Sequence, residues 1–151
     1  MLFYTHLLLS ISFFILFNSF FSGGNKFAFL ILVLLGSVLP DIDEKHSRIK
    51  SWTGLLGIIT SRLAKHRGIF HSLPFALLLF IVVALIFDGY YSIALFIGYF
   101  SHLVGDMLTL HGVTLFYPFS RFKIKGPIRV GSASEYLILA GLVLLILKEF
   151  V

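Results

Sequence analysis

The chain contains no cysteine. That excludes disulfides, iron–sulfur clusters and thiolate metal sites, so any bound metal must take nitrogen and oxygen ligands. Charge is also scarce: Asp, Glu, Lys and Arg make up 13% of the 151 residues. A soluble domain of this length needs far more polar surface. No internal repeat is present, and the length suits a single domain spanning residues 1–151. Apolar residues, in contrast, are abundant. Hydrophobic side chains reach 58%, with 18 Phe, and mean hydropathy is +1.00. This is the composition of a membrane protein. The net charge of +5 does not point to nucleic acid. The basic residues sit beside hydrophobic segments, where they suit anionic lipid headgroups.

Five apolar stretches stand out: Leu2–Phe21, Phe27–Leu39, Ser72–Phe87, Tyr90–Leu110 and Tyr136–Leu147. They predict an all-α fold, a polytopic membrane bundle of about five transmembrane helices. The first stretch has no Lys or Arg ahead of it and no A-x-A cleavage site. It therefore reads as a retained helix and not as a signal peptide. The second is short and stopped by Pro40. Asp88-Gly89 closes the third with a turn signal. Between the second and third, Trp52, Leu55, Leu56, Ile59 and Leu63 recur at helical spacing, with Lys65 and Arg62 on the polar side. Ser51–Lys65 is therefore expected to be an interfacial helix. Basic residues concentrate in the loops before the third stretch and after the fourth. The positive-inside rule makes both loops, and the N-terminus, cytoplasmic.

Ionisable groups inside such a chain are expensive unless they pair, bind an ion or do chemistry. In this topology His6, Asp41, Asp43, His66, His71, His102, Asp106 and Glu135 fall on one membrane face. His102 and Asp106 are spaced i, i+4, so both stand on one helical face and can reach one metal. Gly98, Ser101 and Gly105 leave room for another helix beside them. Asp41 and Asp43 follow Pro40, either converging on an ion or lying as solvated loop acids. His66-Arg67-Gly68-Ile69-Phe70-His71 joins two imidazoles to a guanidinium suited to anions. Glu135 is either part of the site or the N3 acid of a capping box begun by Ser132. His6 is either a ligand or a hydrogen-bonded core residue. The expected metal ligands are His6, Asp41, Asp43, His71, His102 and Asp106. They suit one or two divalent ions, zinc first, with manganese or magnesium where carboxylates dominate.

At these residues the chain resembles the YdjM-like family of membrane-bound metal-dependent hydrolases. The matching elements run in order. They are Thr5-His6-Leu7-Leu8, Leu39-Pro40-Asp41-Ile42-Asp43, His66-Arg67-Gly68 with His71-Ser72, Gly98-Tyr99 through Ser101-His102 and Asp106 to Thr109, then Gly112 and Pro118. Phe70 departs from the family pattern, which usually has Thr before the second His. The resemblance implies a hydrolase with a bound metal in the inner (cytoplasmic) membrane of a prokaryotic cell. On that footing the expected substrate is a lipid or lipid-linked ester, with a phosphoester first. Membrane lipids are the expected partners, and nucleic acid is not. His66 or Glu135 would move protons, and Lys65, Arg67 and Arg129 would hold an anionic headgroup. A metal-ion or proton transporter would use the same ligands, but stretches such as Phe27–Leu34 and Phe75–Phe87 offer it almost no polar path. A non-catalytic scaffold would use the cluster only to pack helices.

Overall fold

The computed structural model describes residues 1–43 and 69–149, the side chains of Asn18, Ile42 and Asp43 excepted. The expected interfacial helix at Ser51–Lys65 and the residues Lys65, His66 and Arg67 lie outside that range. The described helices are α1 (Phe3–Phe17), α2 (Lys26–Val38), α3 (Leu73–Ile86), α4 (Gly89–Met107) and α5 (Ala133–Lys148). A 3₁₀ turn, Leu39–Asp43, continues from α2.

Helix starts follow local chemistry. The Asn25 side chain accepts from Phe27 N at 2.8 Å and Ala28 N at 3.2 Å to open α2. Asp88 accepts from Tyr90 N at 2.9 Å to open α4. Ser72 caps α3, with Pro74 in its first turn, where a missing N–H costs nothing.

The described residues are helical, as expected, but the membrane-spanning bundle needs correction. Among them, no helix is long and apolar enough to cross a membrane. The caps and turns cut the apolar runs short. Helix α1 has 15 residues, about 22 Å, against a hydrocarbon core of about 30 Å. Helix α4 has 19 residues, but Ser92, Ser101, His102 and Asp106 interrupt its apolar character. The inside–outside assignment rested on those spans and falls with them.

Two clusters form the core. Phe29, Val33, Ala94 and Ile97 pack where α2 crosses α4. Ala76, Tyr99, Leu103, Val113 and Leu115 pack where α3, α4 and the segment after α4 meet. The α2–α4 crossing depends on glycine. A Cβ on Gly98 would lie 1.9 Å from the Val33 carbonyl oxygen, and one on Gly36 2.2 Å from that of Leu95. Only glycine permits backbones this close.

Residues 108–132, expected as a basic loop, are tied back onto the helix ends. Leu110 N donates to Ile128 O at 2.8 Å, and Val113 and Ile124 exchange two bonds of 2.9 Å. Large apolar side chains remain exposed on the outer helix faces, among them Leu85, Phe87, Leu137 and Leu144. Exposed large apolar side chains in this number fit a surface that meets lipid or protein.

Candidate metal centre

The site forms where the C-terminal ends of α2 and α4 meet the start of α1 and the entry to α3. Helix α4 contributes His102 and Asp106 one turn apart. The 3₁₀ turn after α2 contributes Asp41, the residue before the α3 cap contributes His71, and α1 contributes His6.

The glycine crossing fixes the chemistry of His102. It brings the Ser37 carbonyl within 2.7 Å of His102 Nδ1. A carbonyl only accepts, so Nδ1 carries the proton and Nε2 carries a lone pair. His102 is fully buried, and Nε2 has no hydrogen-bond partner. A buried orphan nitrogen costs free energy unless something binds it.

Four donor atoms form a ring in which each lies 3.4–3.7 Å from two others. His102 Nε2 lies 3.4 Å from Asp106 Oδ2 and 3.6 Å from Asp41 Oδ1. His71 Nε2 lies 3.6 Å from the same Asp41 oxygen and 3.7 Å from the same Asp106 oxygen. Donors arranged tetrahedrally at the usual zinc distances, about 2.0–2.2 Å, stand about 3.3–3.6 Å from one another. The four imidazole–carboxylate separations lie in or just above that range and are longer than ordinary hydrogen bonds. Two nitrogens and two carboxylate oxygens suit zinc, and manganese next.

His6 reaches this centre through Asp106. Its Nε2 lies 3.3 Å from Asp106 Oδ1, the oxygen turned away from His102, and its ring stacks on His102 at 4.0 Å. Burial, and next the neighbouring His102, lower the His6 pKa to about 4, although Asp106 pulls the other way. The ring is therefore neutral at physiological pH and donates Nε2–H to the carboxylate. Room for it comes from Gly105, whose Cβ would stand 2.8 Å from His6 Nδ1. The His6, His102 and Asp106 donors also lie within 4.8 Å of one another, as do those of Asp41, His71 and His102. Both triads need the single available nitrogen of His102, so they describe one centre.

Burial raises the pKa of Asp106, but the neighbouring His102 and His6 imidazoles outweigh it and hold the carboxyl far below the usual range. Asp41 follows the same pattern, burial opposed by His71 and His102, and it too is lowered. Both stand ready as anionic ligands.

The centre opens into a cleft of about 560 Å³. Met1, His6, Asp41, His71 and Asp106 line it together with Thr109, His111, Gly112, Val113, Thr114, Lys123 and Val130.

The family model described as YdjM inner membrane protein matches residues 1–149. The chain belongs to this family. It is 37% identical to YvsG of Bacillus subtilis over 113 residues, 73% of this chain and 70% of that protein. It is 33% identical to the inner membrane protein YdjM of Escherichia coli over 106 residues, 64% of this chain and 52% of that one. YdjM of Shigella flexneri matches to the same extent. The chain thus spans about half the length of the two YdjM proteins. No solved structure matches. The YdjM inner-membrane description fits the exposed apolar helix faces.

Of the residues singled out from the sequence, His6, Asp41, His71, His102 and Asp106 come together. The side chain of Asp43 and all of Lys65, His66 and Arg67 lie outside the described residues. Arg129 is exposed and does not line the cleft. Glu135 is buried away from the cleft lining, its oxygens accepting from Leu2 N at 2.6 Å and Gly131 N at 2.7 Å. It ties the start of α1 to the start of α5. Ser132 does take the cap position of α5, but without a side-chain cap bond. His111, Thr114 and Lys123 were not expected at the site. The usable signal was the alternation Phe122-Lys123-Ile124-Lys125 beside the β-branched pair Val113-Thr114, a short strand pattern.

Proposed function

We propose that this YdjM-family chain is a metal-dependent hydrolase of the inner membrane, acting on a lipid or lipid-linked ester, a phosphoester first. The observation that carries the reading is the gathering of Asp41, His71, His102 and Asp106 donors, each 3.4–3.7 Å from two of the others, with a buried His102 nitrogen that has no hydrogen-bond partner. A divalent cation held there supplies Lewis acidity toward a phosphoryl or carbonyl oxygen and toward water.

The chain's own groups do the rest. Asp41 and Asp106 balance the cation's charge, His6 orients Asp106, and the Ser37 carbonyl orients His102. The cleft beside the centre is large enough for a headgroup-sized substrate. In this reading His66 moves the proton, and Lys65 and Arg67 approach the headgroup. The exposed apolar faces keep the site at the lipid surface.

Metal analysis of detergent-purified protein tests the proposal. About one zinc or manganese per chain is expected, with none in His102→Ala or Asp106→Ala. A phospholipid and lipid-phosphate hydrolysis screen of the loaded protein follows. Metal-free wild-type protein, or variants with unchanged metal content, would sink the idea in favour of a helix-packing role.

A further inference from the structure

The cleft lining also holds residues whose chemistry differs from that of the metal centre. Gly112 turns the chain there with φ of 61°, and a Cβ on it would lie 2.2 Å from the Ile124 carbonyl oxygen. This is a conformation and a space that only glycine fills well. The turn sets Val113 opposite Ile124 in antiparallel register, with a 2.9 Å bond each way. In that register Thr114 stands opposite Lys123.

Val113 is buried and Ile124 packs against the core of Tyr99 and Leu103. Thr114 and Lys123, the next residues on each strand, both line the cleft. Lys123 is the one lysine or arginine among the described residues that do so, and it forms no ion pair with a described residue.

We propose that Lys123, with the Thr114 hydroxyl across from it, is the anion subsite of the cleft and selects a phosphate-bearing substrate. The inference rests on the hydrolase reading and narrows it from esters in general to phosphoesters. With a divalent ion bound, Asp41 and Asp106 cancel its charge and leave no net positive charge for a phosphate dianion. An ammonium in the cleft lining supplies that charge and donates to phosphate oxygens. A neutral carboxylic ester has no use for it.

Zinc-loaded protein titrated calorimetrically with inorganic phosphate and, separately, with a short-chain phosphatidic acid tests the assignment. Lys123→Ala should weaken phosphate binding about tenfold or more, with metal content unchanged. Lys123→Arg should keep most of it, and Thr114→Val should lose a smaller share. A loss in both arms, or in the lipid arm alone, supports the subsite and says whether free phosphate shares it. Wild-type affinity of Lys123→Ala for both ligands, or failure of the wild type to bind either, overturns it. The hydrolase reading fails separately: if wild-type protein takes up no metal, the same titrations on chelated protein still read Lys123.

Discussion

Each polar side chain of the centre acquires its role from one neighbour. His102 is a ligand because the Ser37 carbonyl holds its other nitrogen at 2.7 Å. His6 is neutral because it is buried, and it fits because residue 105 has no Cβ. Gly105→Ala should therefore push the His6 ring aside while leaving the helix crossing intact, since the clash is with the end of a side chain. Loss of such an orienting partner lowers metal affinity by about 10- to 100-fold. A metal titration against a competing chelator measures it, with the melting temperature as the control for folding. Wild-type metal affinity in that variant would remove His6 from the site.

Helix ends do more for this site than helix middles. Glu135 lies at the first turn of α5, yet it anchors the start of α1 and so holds His6 in register. Burial works against its charge, but the N–H groups of Gly131 and Leu2 outweigh it and keep the carboxyl below its ordinary value of 4.5. A lowered folded-state pKa contributes stability above the unfolded value, lost as pH falls through the folded one. Glu135→Gln keeps one acceptor and turns an amide toward a second donor. It should cost about 1.5–3 kcal/mol at neutral pH. The gap between the variant and wild type should narrow below about pH 4. Thermal melts across pH read both; a gap independent of pH would mean that the charge is not what Glu135 contributes. Helix α4 and its i, i+4 pair were legible from spacing alone, because periodicity is a local property. The segment 108–132 was not, because its structure consists of a few long-range backbone bonds.

At the scale of the whole molecule, composition and structure pull in different directions. Mean hydropathy is that of a membrane protein, yet no described helix is long and apolar enough to cross a bilayer. The exposed apolar faces reconcile the two with membrane association. Purified protein should partition into the detergent phase of a cloud-point separation, and Asp41→Asn should partition in the same way, since the site does not supply the apolar surface. Recovery in the aqueous phase would point to a protein partner covering those faces.

The sequence by itself determined the ligand types, the absence of thiolate chemistry, the helical periodicity and the His102–Asp106 pair. These follow from composition and from spacings within one element. Only the tertiary structure decided that Asp41, His71, His102 and Asp106 come together and that His102 has a single nitrogen to give. It alone placed Glu135 as a tether and Lys123 in the lining of the cleft beside the metal centre. Those facts depend on how closely α2 and α4 approach and on where a non-helical segment folds back. Distances between elements are set by packing, which local patterns do not encode.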